Sequence, residues 1–357
     1  MESQLSNRHK RVYFLVSDEG WSHAVRQSMI ANELVRRGAI VCFQTRDPLS
    51  VVESLLSPKV TIIRRFNLVR LVKRPGGVDV DATVELFADY RERLESWTRE
   101  ISTSPEVEQA DIIVSDTVEE AGILAEMFGV PVVLVTNFTW HWALSKIDER
   151  LIPVARQMET GFTKARELLY PPLSIESEAS LRRTAVPLIS RKRRDPFSVR
   201  EELGIDAGQP ILVISDDGTD GLDSIDFHFV SKPWTVIRRW GTPRGDSTAI
   251  KSFSQFRDYM NVADLVISHG GYSSLAETLA DGVRHLIVEE ENHPESQASA
   301  KLAENARRAV RCSWAEFVED PNGWVEVTLA ADLNLDPVPT YGAEVVASRI
   351  LELASAH

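Results

Sequence analysis

The 357-residue sequence lacks the features of a disulfide-stabilised or metal-binding protein. It contains only two cysteines, Cys42 and Cys312, which lie far apart and have no neighbours at metal-ligand spacing. Two isolated cysteines are most simply free thiols in a reducing compartment. We therefore expect a cytoplasmic protein without a disulfide framework and without a metal site.

Long apolar runs are missing as well. No stretch is long enough to cross a bilayer, and the first residues lack the apolar core of a signal peptide. We expect no transmembrane segment, and peripheral contact with a membrane stays open. The sequence also has no Gly-x-x-x-x-Gly-Lys-Ser/Thr motif, so nothing indicates a P-loop kinase.

Basic residues are outnumbered by acidic ones. The counts of 40 Lys and Arg against 53 Asp and Glu give a formal net charge of −13. Because phosphate backbones select basic surfaces, we expect no nucleic-acid partner. The one basic run, RKRR at residues 191–194, is more simply interpreted as a solvated linker.

What the sequence does contain is a regular alternation of apolar runs and helical patterns, which indicates the α/β class with parallel sheets covered on both faces. The length predicts two domains, and prolines at positions 171, 172 and 187 break regular structure between them. We place the domains at residues 1–185 and 186–340, followed by a terminal helix in 341–357. The predicted strands are residues 11–17, 39–45, 60–66, 111–115, 130–135, 210–215, 235–240, 263–268 and 285–289. The predicted helices are residues 23–37, 83–101, 119–128, 196–203, 296–306 and 342–354.

One junction in the second half suits a bound phosphate. The strand at 263–268 runs directly into His269-Gly270-Gly271, and a helix follows that ends at Gly282. Free backbone N–H groups and the positive end of a helix dipole attract an anion, and two glycines let it approach closely. Gly-Gly after a strand is also common without any ligand.

Three side chains of that helix extend the predicted site. Ser273 and Ser274 can cap the helix or donate hydrogen bonds to phosphate oxygens. Glu277 lies one turn further on, where its carboxylate could accept hydrogen bonds from two ribose hydroxyls. Together these residues predict a nucleoside-diphosphate site.

A second candidate site follows the first strand. His23 stands at a predicted helix start, where the helix dipole favours the neutral imidazole and hence a proton acceptor. Asp116 ends the strand at 111–115 and would face the same edge of the sheet, where it could orient His23. A structural role, as a cap or as a hydrogen-bonded side chain, is the alternative for His23.

Aromatic and amide side chains near the strand ends suggest a site for a sugar ring, which would be the acceptor site of a transferase. Asn137 and Trp140 follow the strand at 130–135, and Trp21 precedes His23. An aromatic face with an amide beside it suits a sugar ring. A hydrophobic plug between the domains is an equally good interpretation of the segment at 136–142.

The spacing His-Gly-Gly-x-x-Ser-x-x-Glu at residues 269–277 resembles the donor signature of GT-B glycosyltransferases. The segment at 20–26 resembles the Gly-x-Gly-His-x-x-Arg opening of that family, with Ser22 replacing the second glycine. The resemblance implies two Rossmann-like domains that face a cleft, with the terminal helix crossing back to the first domain. It also implies that Gly218 belongs to a donor-phosphate loop, although three aspartates occupy residues 216–220. Over most of its length the chain resembles the glycosyltransferase-like N-terminal region of arabinokinase-type proteins and its stand-alone bacterial relatives.

This resemblance implies transfer of a sugar from a nucleoside-diphosphate sugar, with a uridine nucleotide expected, to an unidentified acceptor. His23 would be the base, Asp116 its orienting acid, and no cofactor would be needed. Two alternatives stay open: a nucleotide-sugar 2-epimerase of the same fold, and a binding module without chemistry. A monomer or a homodimer is expected.

Overall fold

The computed structural model describes residues 9–19, 22–45, 49–65, 68–118, 120–175, 181–216, 221–227, 234–238 and 253–356. The predicted residues Trp21 and Gly218 lie outside these ranges, as do all four residues that follow Asp216 in the acidic loop. The strands in chain order are β1 (Arg11–Val16), β2 (Ile40–Thr45), β3 (Thr61–Arg64), β4 (Lys73–Arg74), β5 (Gly77–Val78), β6 (Ile112–Asp116), β7 (Val132–Val135), β8 (Glu167–Tyr170), β9 (Arg183–Ala185), β10 (Ile211–Ser215), β11 (Thr235–Arg238), β12 (Leu265–Ser268), β13 (Arg284–Glu289) and β14 (Val310–Ser313).

Two parallel sheets organise the chain. The first has the order β3-β2-β1-β6-β7-β8-β9 and the second the order β11-β10-β12-β13-β14, while β4 and β5 form a separate antiparallel hairpin. The central strands β6 and β10 are buried along their whole length. Such continuous apolar runs are typical of parallel strands that helices cover on both faces. The predicted α/β class with two sheets is confirmed, and the exact domain boundaries stay a prediction.

Helices connect these strands. They are α1 (Ser22–Arg36), α2 (Leu49–Leu55), α3 (Val80–Leu86), α4 (Tyr90–Ser102), α5 (Pro105–Glu108), α6 (Ala121–Phe128), α7 (Trp140–Ile147), α8 (Ile152–Phe162), α9 (Pro196–Leu203), α10 (Phe253–Val262), α11 (Tyr272–Asp281), α12 (Pro294–Asn305), α13 (Trp314–Glu319), α14 (Pro321–Ala330) and α15 (Gly342–Ser355). No helix within the described ranges is long and apolar enough to span a bilayer.

The single long helix expected at 83–101 is wrong, because the structure divides it into α3 and α4. Asp79 caps α3 by accepting a hydrogen bond from the backbone of Ala82. At the break, Arg93 donates to the carbonyl of Leu86 and to the carboxylate of Asp89. The carbonyl at the end of α3 therefore has a side-chain partner, and the chain can turn there.

The terminal helix α15 crosses back to the first sheet, as expected. Val346, Ala347 and Ile350 are fully buried against the core that contains Phe14 of β1, and α15 packs beside α1. The last helix of the chain therefore completes the core of the first half.

The basic run at 191–194 is not simply a solvated linker. Arg191 and Arg194 each donate to Oδ1 of Asp258 on α10, at 2.9 and 3.0 Å. An acidic partner on a neighbouring helix draws these two arginines onto the surface of the second half, whereas the sequence pattern shows only their charge.

Candidate functional site

A cleft separates the carboxyl ends of the two sheets, and α1 and α11 meet across it. The hydroxyl of Ser22 lies 3.1 Å from both the backbone nitrogen and Oγ of Ser273. The guanidinium of Arg26 lies over the ring of Tyr272, 5.3 Å from its centroid. The N-termini of the two helices therefore face the same space, where open α/β sheets bind ligands.

On the side of the first sheet, His23 and Asp116 form a buried pair. His23 Nδ1 lies 3.0 Å from Asp116 Oδ1, and the two side chains are 2% and 0% exposed. The carboxylate accepts a hydrogen bond from Nδ1, which leaves Nε2 as the proton acceptor of the ring. The next residue, Thr117, has a φ of +56°, a strained conformation for a β-branched side chain that is found mainly at functional sites.

Arg26 and Gln27 complete the environment of Asp116. Arg26 Nη2 lies 2.7 Å from Asp116 Oδ2, and Gln27 Nε2 donates to the same oxygen at 2.8 Å. Burial alone would raise the pKa of Asp116, but the charge of Arg26 and the neighbouring His23 lower it well below its usual range. The carboxylate stays ionised and can hold the imidazole in one orientation.

On the side of the second sheet, β12 leads into α11 through a tight turn. Gly270 has a φ of +80°, and a Cβ there would lie 2.9 Å from Ile287 Cγ2, so the position requires glycine. Gly271 is the N-cap of α11, and Ser274 shares a hydrogen bond of 2.8 Å with Ser215 at the end of β10. The turn therefore presents the first backbone N–H groups of α11 to the cleft.

His269 is anchored by one ring nitrogen and leaves the other unpaired. Its Nδ1 donates to the carbonyl of Val288 at 2.8 Å. Its Nε2 is buried and has no hydrogen-bond partner among the described residues. An unpaired polar atom in a buried position costs free energy, and a ligand with a hydrogen-bond donor would remove that cost.

Glu277, the predicted ribose contact, forms an ion pair with Arg257 of α10. Both side chains are 6% exposed. The sequence pattern does not predict this pair, because the two residues lie 20 positions apart on different helices. A ribose whose hydroxyls donate to Glu277 would have to share the carboxylate with the guanidinium.

The β4-β5 hairpin of the first half closes the cleft from one end. Val78 donates its N–H to the carbonyl of Glu291, which follows β13, and Lys73 Nζ lies 2.6 Å from Glu290 Oε1. A Cβ on Gly77 would overlap the backbone of Glu291, so the hairpin approaches as closely as glycine allows. Burial would raise the pKa of Glu290, but the neighbouring His293 and Lys73 lower it to about 2.

Two further carboxyl groups face the cleft. Asn137 donates to Glu295 Oε1 at 2.9 Å and accepts from Arg26 at 2.8 Å, so it bridges the two halves. Burial raises the pKa of Glu295 and, for the same reason, that of Glu19. For Glu19 the charge of Lys73 partly offsets the rise, and for Glu295 the neighbouring His23, Asn137 and Arg26 do so. The sequence pattern does not single out Glu19 or Lys73, whereas Arg26 is the arginine of the segment that resembles Gly-x-Gly-His-x-x-Arg.

The prediction that the indole ring of Trp140 contacts an acceptor is wrong, because the ring is buried in the core. Trp140 is 1% exposed and packs edge-on against Phe138, with ring centroids 5.0 Å apart, inside the core of the first half. The ring fills space between α7 and the sheet and offers no open face to a sugar. Of the other two predicted acceptor residues, Asn137 lies in the cleft and Trp21 lies outside the described residues.

Comparison with known proteins identifies the architecture. Residues 239–320 match the glycosyltransferase family 28 C-terminal domain, and a comparison with curated protein sequences finds no significant match. A metal-binding cluster of three or more His, Cys, Asp or Glu side chains does not occur in the part of the chain that the structure covers.

Solved structures match almost the whole chain. UGT89C1 of Arabidopsis thaliana is 14% identical with a TM-score of 0.61, and the match covers 97% of this chain and 95% of that one. UGT2 of Phytolacca americana, solved with UDP-2-fluoro-glucose and pterostilbene, is 13% identical with a TM-score of 0.58 over 97% and 94% of the two chains. CalG4, the calicheamicin glycosyltransferase, is 16% identical with a TM-score of 0.59 over the same shares. The chain therefore has the GT-B fold of these structures, and within its second half residues 239–320 are similar to the family 28 C-terminal domain.

Proposed function

We propose that this protein is a glycosyltransferase that moves a sugar from a nucleoside-diphosphate sugar, expected to carry uridine, to an acceptor hydroxyl or amine. The observation that carries the proposal is the meeting of two sites across one cleft. A buried His23–Asp116 pair lies on one side, and the N-terminus of α11, where the N–H of Ser273 bonds the hydroxyl of Ser22, lies on the other. The GT-B fold and the family 28 match support the same activity, and UGT2 of Phytolacca americana is described with a UDP-sugar analogue.

The donor would bind at the second half. Gly270 and Gly271 let the diphosphate approach the backbone, and Ser273 and Ser274 lie in the first turn of α11, where N–H groups stabilise its charge. Glu277 would accept hydrogen bonds from ribose hydroxyls. We assign the unpaired Nε2 of His269 to a donor group of the bound nucleotide sugar, and we include Gly218 in the phosphate loop on the resemblance alone.

The chemical step needs a base because sugar hydroxyls do not ionise near neutral pH. His23 Nε2 would take the proton as the acceptor oxygen attacks the anomeric carbon, a contribution of roughly 10²–10⁴ in rate. The bond from that carbon to the diphosphate breaks, and the diphosphate leaves with the electron pair toward the N-terminus of α11. Asp116 acts as a positioning residue that holds the imidazole and stabilises the imidazolium.

The test is release of free UDP from UDP sugars by the purified protein, measured with and without acceptors. His23→Ala should abolish transfer and leave the affinity for UDP nearly unchanged. His9→Ala, which changes a histidine outside the cleft, is the matched control. Unchanged turnover in His23→Ala would remove His23 from the mechanism, and an epimerised donor without free UDP would indicate the alternative 2-epimerase.

Location, assembly and ancestry remain proposals as well. Cys42 and Cys312 are free thiols, which supports a reducing cytoplasm. A monomer or a homodimer is expected. The resemblance to arabinokinase-type proteins rests on the sequence at residues 20–26, 110–116, 135–140, 186–205 and 259–277 and on the tail from residue 341.

A further inference from the structure

A cavity of about 940 Å³ opens in the first half of the chain, beside the cleft. Its described walls come from residues 18 and 19 after β1, residues 64, 65 and 68–71 at and after the end of β3, the last residue of α3, and α4. Ligand pockets for drug-sized molecules measure roughly 300–1,000 Å³, so this cavity is large enough for more than a single sugar ring. Among the described residues, none of the predicted site residues lines it.

One end of the cavity reaches the candidate active site. Glu19 lines the cavity and accepts a hydrogen bond from the backbone of Leu71 at 3.0 Å. Glu19 lies between β1 and α1, four residues before His23 in the chain, and Leu71 comes two residues before the β4-β5 hairpin. A molecule in the cavity could therefore extend one hydroxyl toward His23.

One wall of the cavity is apolar. Leu68, Leu71 and Trp97 line it, and each belongs to the buried core of the first half. Their positions are fixed by packing, and by Arg93, whose guanidinium bonds the carbonyls of Leu68 and Leu86. A rigid wall of this kind suits a hydrocarbon or ring body.

Arginine side chains make another part of the cavity wall positively charged. Arg64 is committed to Glu53, but Arg70 is exposed at the cavity. Arg65 uses its Nε for Glu100 at 3.0 Å, while its Nη1 is buried without a hydrogen-bond partner among the described residues. A buried guanidinium nitrogen without a partner is costly, and a carboxylate is the group that satisfies it best.

We propose that this cavity binds an amphipathic organic acid, with its apolar body against Leu68, Leu71 and Trp97 and its carboxylate at Arg65 and Arg70. Resting on the proposed function, this molecule is the acceptor, and its hydroxyl points toward His23. The sugar would then be attached at the end of the acceptor opposite its carboxylate.

A matched pair of fluorescent probes tests the proposal. 7-Hydroxycoumarin-4-acetic acid and 4-methylumbelliferone share the ring and the hydroxyl, and only the first has a carboxylate. Their dissociation constants are measured by fluorescence polarisation without nucleotide. We expect the wild-type protein to bind the acid about tenfold more tightly, the usual effect of a charge-assisted hydrogen bond.

Variants locate the binding. Arg65→Gln and Arg70→Gln should each reduce the preference for the acid, and Arg91→Gln, on α4 but outside the cavity, should keep it. Because Arg70 is exposed, Arg70→Gln should fold normally, and it tests the site even if Arg65→Gln is destabilised. Equal binding of the two probes, or a preference that survives both cavity variants, would overturn the proposal. If the preference for the acid depends on Arg65 and Arg70 but the protein does not bind UDP, the acid site is supported and the proposed glycosyltransferase function is contradicted.

Discussion

The hydroxyl of Ser22 accepts a hydrogen bond from the backbone N–H of Ser273, 251 residues later in the chain. The same hydroxyl donates to Ser273 Oγ. The first N–H groups of a helix have no partner within the helix, so Ser22 satisfies one that a diphosphate would otherwise use. A bound donor therefore has to replace this hydrogen bond between Ser22 and Ser273, which is one of the contacts between the two halves.

Removing this hydroxyl should strengthen nucleotide binding. In Ser22→Ala the Ser273 N–H loses its internal partner, so we expect the affinity for UDP to rise about threefold to tenfold, in line with the net value of one hydrogen bond of ~1 kcal/mol. Isothermal titration calorimetry measures it. Ser28→Ala is the control, because Ser28 lies on the same helix and its hydroxyl donates to the carbonyl of Val25 at 2.8 Å. A weaker UDP complex in Ser22→Ala would mean that the serine helps to hold the phosphates.

Glu277→Gln should separate ribose recognition from phosphate recognition. The substitution removes the charge that would accept ribose hydroxyls, and it leaves the turn at Gly270 and Gly271 intact. We expect the affinity for UDP to fall about tenfold, since hydrogen bonds to a charged group are worth ~1.5–3 kcal/mol. Inorganic pyrophosphate should bind as before. A parallel loss for both ligands would show that the Glu277–Arg257 pair acts on the shape of the turn instead.

Asp116→Asn tests the buried network of the first half. The change leaves Arg26 without its ionised partner in a site that is 0–2% exposed. Breaking such a pair costs about 3–5 kcal/mol, so we expect a clear loss of stability in chemical denaturation. With a working donor and acceptor, kcat should fall while KM for the donor stays nearly constant, because Asp116 acts through His23.

The outcome for Asp116→Asn can be judged against a nearby carboxylate. Asp111→Asn changes a side chain just before β6 that accepts from the backbone of Arg11 at 2.7 Å. It should cost less stability and leave kcat unaltered. Equal effects of the two substitutions would indicate that Asp116 serves the fold alone.

Glu295 should make stability depend on pH. Burial raises its pKa in the folded state above the unfolded value of ~4.3, so the folded protein binds this proton more tightly. Its contribution to stability is therefore present below pH ~4.3 and is lost as pH rises through the folded pKa. In Glu295→Gln this loss disappears, and Tm relative to the wild type should increase across that window.

Thermal unfolding between pH 4 and pH 8 measures the difference. Glu326→Gln, at an exposed position of α14, provides the baseline and should show a constant difference from the wild type. A constant difference for Glu295→Gln too would mean that its carboxyl ionises normally in the folded protein.

Much of the fold can be predicted from the sequence because local signals agree with it. The helix α9 begins at a proline after the capping Asp195 and ends at Gly204 in the left-handed conformation, all of which are visible in the sequence. The strand-turn-helix at Gly270 is equally local. The break between α3 and α4 is not, because it depends on where Arg93 finds its acceptors.

The site is less predictable because its contacts join distant parts of the chain. His23 and Asp116 follow from the rule that parallel strands end at one edge of a sheet. Lys73 meets Glu290 only because a short hairpin reaches the other half, and no pattern of neighbouring residues announces that contact. For Trp140 the sequence pattern predicts a contact that the structure does not have. An aromatic residue after a strand looks the same in sequence whether it lines a cleft or fills a core.

The helix α15 follows the second sheet in the chain but packs on the first sheet, so the two halves are linked through it. Val346, Ala347 and Ile350 supply apolar surface that β1 cannot obtain from its own half. During synthesis, part of the apolar face of the amino-terminal sheet therefore stays uncovered until α15 has been translated and has left the ribosome. Expressed as an isolated fragment, that sheet would keep an open apolar surface and would need a chaperone or a fused copy of α15 to stay in solution.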